Sequence, residues 1–305
     1  MKPMIKYRGG KSREIPYIIR DIPKFDGRYI EPFFGGGALF FYLEPERSII
    51  NDINSKLMAF YKGVRDDYEN MSRELDELEA IYARNRKEFD ALKAIHPNKR
   101  VEDKNEELYY KLRAMFNDAA AKTYSDAVLY YYINKTAYSG MIRYNSNGEF
   151  NVPFGRYKCL NTKFVTEAHH KLLQRAEIFN TDYSDIFNMC HPEDFVFLDP
   201  PYDCIFSDYG NEEYRGGFSE DNHRRLARDF KDLPCKAMMV IGRTPLTEEL
   251  YGGYIAGEYE KKYAVNIRNR FKSAARHIIV TNPNTFRHNR GRLIRHQLGS
   301  KRSVK

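Results

Sequence analysis

The spacing of apolar positions changes character along the chain. Short runs of β-branched and aromatic residues come first, Tyr29-Ile30 and Ser48-Ile49-Ile50, each closed by polar or turn-forming residues, which is the pattern of buried strands. From about Lys56 to Asp118 the sequence is charged and helical in period, with Met71, Leu75, Leu78, Ile81 and Tyr82 on one face. After Pro97 a polar stretch, Lys99 to Lys104, reads as a loop. A helical pattern then resumes from Glu106 to Ile133, with Tyr109, Leu112, Phe116 and the Tyr130-Tyr131-Tyr132 cluster as its core. Strand patterns return at Ala176–Phe179, Phe195–Leu198, Ala237–Ile241 and His277–Thr281, with helical segments between them. Strands alternating with helices predict an α/β fold with a doubly wound sheet, split in sequence by a mainly helical insert.

The strand Phe195-Val196-Phe197-Leu198 halts at Asp199-Pro200-Pro201-Tyr202. Neither proline can donate to a ladder, so the chain turns out rigidly. An acceptor and a flat ring are left at the carboxyl end of a strand, where open α/β sheets bind ligands. A rigid turn with a packed tyrosine would read the same way. Near the N-terminus, Phe33-Phe34-Gly35-Gly36-Gly37 offers a glycine turn that a ligand can approach closely. It is not a dinucleotide fingerprint, because Leu39 and Phe40 follow where a third glycine would stand, and it is not a P-loop. Asp52 stands where a ribose-binding acid follows a first βα unit, or it is a helix N-cap before Lys56. Asn147-Gly148 between two alternating runs is a type I′ hairpin signal and predicts a hairpin near residues 138–155. Arg143 on its first arm can read guanine through O6 and N7, or meet a phosphate or nothing.

Four segments in this order, Ile5 to Ser12 with its Tyr7-Arg8-Gly9-Gly10-Lys11 core, Arg28 to Leu39, Ile133 to Gly155 and Asp199 to Tyr202, resemble the motifs of the Dam-like (D12 class, alpha group) DNA adenine-N6 methyltransferases. The resemblance runs from Lys6 to about Asn282. It implies a Rossmann-like mixed sheet, S-adenosyl-L-methionine (AdoMet) as cofactor and double-stranded DNA as partner, and it leaves a companion restriction endonuclease open. Cofactor contacts are implied for Tyr7, Lys11, Phe33, Gly35, Gly37, Asp52, Asp182, Tyr183 and Asp199. For Asp182 an N-cap of the following helix is an equal alternative. Catalysis is implied for Asp199, Pro200 and Tyr202, and DNA contacts for Lys135, Arg143, Asn145 and Asn147. The expected units are residues 1–55 with 165–285 for catalysis, 56–164 for target recognition, and a basic tail at 286–305. The chain departs from the family pattern at Tyr7, often Trp, at Tyr138-Ser139-Gly140, often Phe-Asn-Gly, and at Gly242-Arg243, where Ser/Asp is usual. These last two leave the exact target sequence open.

Composition agrees with a nucleic-acid partner. The chain has 305 residues and a formal charge of +8, enough length for a full core plus an insert and a balance suited to phosphates. From Arg287 to Lys305 there are seven Lys/Arg and no acid, which clamps DNA or hangs free in solvent. No apolar run is long enough to span a membrane and no signal-peptide pattern opens the chain, so a cytoplasmic protein is expected. Cys159, Cys190, Cys204 and Cys235 show no Cys-x-x-Cys spacing, and reduced thiols are expected. His169-His170 reads as a surface pair, and no metal is expected.

The chemistry that the resemblance implies begins with extrusion of the target base, since N6 inside a duplex cannot reach a methyl donor. Tyr202 would stack on the base, while the Asp199 carboxylate and the Pro200 carbonyl accept from N6. An RNA adenine methyltransferase and a binding protein that has lost catalysis are the alternatives. Methylation of cytosine at carbon 5 would need a Pro-Cys nucleophile, which the sequence lacks.

Overall fold

The computed structural model describes residues 1–140, 142–202, 218–261 and 275–285. Cys204 and the basic tail from residue 286 onward lie outside them. The strands are β1 (Tyr29–Glu31), β2 (Ser48–Asn51), β3 (Ala176–Phe179), β4 (Phe195–Leu198), β5 (Lys236–Gly242), β6 (Ile255–Lys261) and β7 (Ala275–Thr281). The helices are α1 (Ile15–Ile18), α2 (Ala38–Leu43), α3 (Ser55–Asp66), α4 (Tyr68–Ile95), α5 (Lys104–Phe116), α6 (Asp126–Thr136), α7 (Glu167–Leu173), α8 (Tyr183–Phe187), α9 (Glu220–Asp232) and α10 (Pro245–Tyr251).

The strands form one mixed sheet in the order β3-β2-β1-β4-β5-β7-β6. Strands β1 to β5 pair in parallel, whereas β7 is antiparallel to both β5 and β6. The central strands read as continuous apolar runs because both faces are covered. Tyr29, Phe195, Phe197, Met238 and Val240 face one core, shared with the helical insert, and Ile30, Val196, Leu198, Met239 and Ile241 face the other.

The insert runs through α3 to α6, and its Met71, Leu75, Leu78 and Tyr82 are buried, as are Tyr130, Tyr131 and Tyr132. The continuous helix expected from Glu106 to Ile133 is broken instead between Phe116 and Asp126. Asp118 sits in the left-handed region at φ 57°, and Ser125 then caps α6 by accepting from Val128 N. Glu74 fixes that cap by accepting from both the amide and the hydroxyl of Ser125 at 3.1 and 2.9 Å.

One strand was not expected, and two further expectations are corrected. Strand β6 is not legible in the sequence, because only alternate residues of this edge strand meet the core and Gly257 interrupts its pattern. His169 is buried, bonded to Thr166 Oγ1 at 2.7 Å and to the Lys2 carbonyl at 2.9 Å. It is a structural pin for the N-terminal arm, and burial lowers its pKa. The turn at Asn147-Gly148 is not type I′. Gly148 has φ 81°, but Asn147 is not among the residues of positive φ, whereas type I′ requires both. Gly148 N donates to the Asn145 carbonyl at 3.0 Å and Asn145 N to the Glu149 carbonyl at 2.9 Å. That is a three-residue connection ending in a left-handed glycine, the G1-bulge form.

Candidate active site

Three adjacent strands, β2, β1 and β4, deliver Asp52, the glycine turn and Asp199 to the carboxyl ends of the parallel strands. Gly35 takes φ 48°, a conformation that costs little only without a Cβ. The turn is tied on three sides. Gly35 N donates to Asp52 Oδ2 at 2.8 Å, the Tyr61 hydroxyl donates to the Gly35 carbonyl at 3.0 Å, and the Tyr7 ring lies against the turn so closely that a Cβ on Gly35 would come within 2.7 Å of it. Gly37, at φ 62°, is the N-cap position of α2. Asp52 is not the cap of α3. Asn54 caps it, accepting from Leu57 N at 2.9 Å, while the second oxygen of Asp52 accepts from Asn54 N at 3.0 Å. Burial, and then Asp52 nearby, pushes the Tyr7 hydroxyl well above its ordinary pKa, so the ring is a neutral wall.

At the end of β4, the Lys11 ammonium lies 2.6 Å from each oxygen of Asp199 and also donates to the Gly9 carbonyl at 2.9 Å. It sits 5.0 Å from the centre of the Tyr202 ring, within cation–π range. The Tyr202 hydroxyl donates weakly to Asp199 Oδ1 at 3.4 Å. Pro200 is buried between the two.

Beyond β2, Asp182 is the N-cap of α8, accepting from Ser184 N at 3.0 Å, and the same oxygen accepts from Arg225 at 2.8 Å. Its burial would raise the pKa, but the Ser184 and Arg225 contacts outweigh it and the net shift is downward. The Tyr183 ring packs on Phe33 at 5.4 Å, with Arg225 over it at 4.9 Å. Phe33 and Tyr183 are therefore brought together as one aromatic wall.

A family model for the D12 class N6 adenine-specific DNA methyltransferases matches residues 7–267. The chain belongs to that family. The methyltransferase is 37% identical over 274 residues to the Type II methyltransferase M.CviBI of Paramecium bursaria Chlorella virus NC1A, covering 88% of this chain and 94% of the relative. It is 34% identical over 280 residues to the Type II methyltransferase M.MjaIII of Methanocaldococcus jannaschii, covering 86% of this chain and 90% of that one. It is also 33% identical over 283 residues to the DNA adenine methylase of Escherichia coli strain K12, covering 89% and 90%. The expected family and its activity, methylation of adenine in DNA, thus hold for this protein.

The methyltransferase's expected DNA-contacting residues are spread over two environments. Arg143 is exposed, its Nε donating to Asn151 Oδ1 at 3.1 Å. Asn147 is exposed at the turn, but the Asn145 side chain is engaged within it, accepting from Asn147 N and Glu149 N at 3.0 and 2.9 Å. Lys135 is turned inward. Its ammonium donates to the Met4 carbonyl at 2.7 Å over the rings of Phe164 and Tyr131, and burial, helped by Lys6, pushes its pKa down to about 8.

Two buried residues at the site escape a sequence reading. Glu31 ends β1 and accepts from the Tyr29 hydroxyl at 2.8 Å. Burial, against the Tyr29 contact and with Asp199 and Asp52 nearby, raises its pKa well above the usual carboxylate range. An acid inside an apolar strand was the available signal. Asn134 holds both main-chain groups of Lys6, accepting from its N–H at 2.9 Å and donating to its carbonyl at 2.7 Å. It fixes the arm that carries Tyr7, and nothing local in the sequence marks it. Among the described residues no cluster of three His, Cys, Asp or Glu side chains could hold a metal ion, and no helix is long and apolar enough to cross a membrane.

Proposed function

We propose that the protein transfers a methyl group from AdoMet to N6 of an adenine extruded from duplex DNA at a specific site. The observation that carries this reading is the Lys11–Asp199–Tyr202 cluster at the end of β4, next to the Gly35 turn and Asp52 at the ends of β1 and β2. The residues present fit the cofactor. The glycine turn offers backbone approach, Asp52 is an acceptor at the strand end where ribose hydroxyls are bound, and Phe33 with Tyr183 supplies an apolar aromatic wall for an adenine.

AdoMet supplies an electrophilic methyl on a sulfonium. The protein's task is to present a nucleophilic nitrogen in line with it. Tyr202 stacks on the extruded base and holds its plane. The Asp199 carboxylate and the Pro200 carbonyl accept from the two N6 hydrogens, which favours the pyramidal nitrogen whose lone pair is free to attack. As the N6–methyl bond forms the methyl–sulfur bond breaks to leave a neutral thioether, and one N6 proton leaves to the Asp199 carboxylate or to water. Lys11 keeps the Asp199 carboxylate in place and balances its charge, so catalysis here is positioning and electrostatics, with no covalent enzyme intermediate. Residues 56–164 act as the target-recognition unit, with Arg143 presented to a base edge, and residues 1–55 and 165–285 as the catalytic unit.

The reading is tested by transfer of labelled methyl from AdoMet to unmethylated duplex DNA, wild type beside Asp199→Ala, with the product nucleosides separated. Label in N6-methyladenine that vanishes in the variant is the expected result. Label appearing in structured RNA and not in duplex, from protein that binds AdoMet, would replace DNA by RNA as substrate.

A further inference from the structure

Toward β5 and β7, the Asp199–Tyr202 turn rests on a buried polar pair. His277 of β7 is 1% exposed, and it stands opposite Gly242 of β5 in the register. Its Nδ1 lies 2.8 Å from Glu14 Oε2, and the same oxygen accepts from the Tyr259 hydroxyl at 2.6 Å. The His277 ring meets the Tyr202 ring at right angles, centroids 5.1 Å apart and planes at 89°. Gly242 lies under the same ring, where an added Cβ would make ordinary van der Waals contact with Tyr202 at 3.6 Å.

A buried carboxylate facing a histidine is expensive to desolvate, and an apolar pair would pack at least as well. What the polar pair adds is direction. The hydrogen bond to Glu14 fixes the imidazole plane, and a fixed imidazole fixes the plane of the ring packed against it at the right-angled geometry aromatic pairs prefer. Glu14 comes from the same turn as Lys11, for Glu14 N donates to the Lys11 carbonyl at 2.7 Å. One turn, residues 11–14, thus holds Asp199 through Lys11 and Tyr202 through Glu14 and His277.

We infer that Glu14 and His277 form a positioning pair that sets the plane of Tyr202 for stacking on the extruded adenine, an inference that rests on the function proposed above. Neither touches the base.

The test is a double-mutant cycle. Methyl transfer to unmethylated plasmid DNA is measured for His277→Leu and Glu14→Gln, each alone and combined with Tyr202→Ala, together with AdoMet affinity by calorimetry. Each single variant should lower kcat/KM about tenfold, the scale of one lost edge-to-face ring contact. In the Tyr202→Ala background neither should change it by more than about twofold, and AdoMet affinity should stay within about twofold throughout. Glu14→Gln keeps shape and removes charge, so it carries the test if His277→Leu does not fold. Losses of equal size with and without Tyr202, unchanged rates, or AdoMet affinity falling in step would overturn the inference while leaving the reading above intact. A wild type that transfers no methyl to DNA would overturn both.

Discussion

Lys11 and Asp199 lie 188 positions apart in sequence, yet the ammonium of one touches both carboxylate oxygens of the other at 2.6 Å. The pair is largely out of water, at 3% and 20% side-chain exposure. Such a pair adds little over an apolar one, but losing one member is costly because the other charge stays behind. Lys11→Met should therefore lower stability by about 2 kcal/mol, below the range for a fully buried pair because Asp199 retains some solvent. Adding Asp199→Asn should restore most of that loss. Urea unfolding of the two variants checks it, and a Lys11→Met protein as stable as wild type would contradict the ion pair's weight.

The glycine turn gives a second expectation. Gly35→Ala must adopt φ 48° and push a methyl into the Tyr7 ring. A loss of about 1–2 kcal/mol in stability follows from the backbone term, and AdoMet binding should weaken at least about tenfold, since the turn and its ring must part. Gly253→Ala, whose added Cβ meets nothing within 4 Å, is the matched control and should change neither. Calorimetric titration and thermal melts separate the two effects.

Glu31 makes a pH prediction. Its folded pKa is raised by burial, so the folded state holds a proton that the unfolded chain releases near the ordinary carboxylate value. Wild-type stability from this group is full below that value and declines as pH rises toward the folded pKa. Glu31→Gln has no proton to lose. Its melting temperature should exceed that of wild type at pH 8 and converge with it toward pH 5. A difference that grows on acidification would show that Glu31 is ionised in the fold.

Arg143 offers a test of base reading. Its exposed position on the hairpin leads us to expect that Arg143→Ala lowers methylation at the preferred site by about 10- to 100-fold, the value of one bidentate base contact. AdoMet affinity should not change. A loss that is uniform across sequences, with a shallower salt dependence, would make the contact a phosphate instead.

Much of the fold was legible because its strands are short, apolar and closed by unmistakable punctuation. Asp199-Pro200-Pro201 ends β4, and Pro32 ends β1 ahead of the glycines that follow Phe34. What stayed hidden was long-range. Strand β6 is half polar, so its identity depends on β7 lying beside it. The break between α5 and α6 depends on Glu74 from another helix. At the site, the sequence pointed to Tyr7, Lys11, Asp52 and Asp199, and these do converge. It could not choose between cap and ligand for Asp52 or Asp182, because both roles use the same carboxylate. The neighbours decide the caps alone: Asn54 takes the cap beside Asp52, and Asp182 caps α8 itself. Lys135 carried a charge that the sequence assigned outward, while Phe164 and the N-terminal arm cover it.

Strand β1 is bonded on one flank to β2, which follows soon after it, and on the other to β4, which is made only after the entire helical insert. During synthesis, then, the middle of the sheet waits with one flank bare while nearly half the chain emerges. The insert can close on its own neighbouring helices in that interval, but β1 cannot. An unpaired central strand is a template for the wrong partner, and pairing across such a distance is slow. Products that stop short of Phe195 should for that reason be prone to aggregate, and ribosome pausing or chaperone capture between the insert and β4 should govern the yield of this protein more than the stability of its finished core.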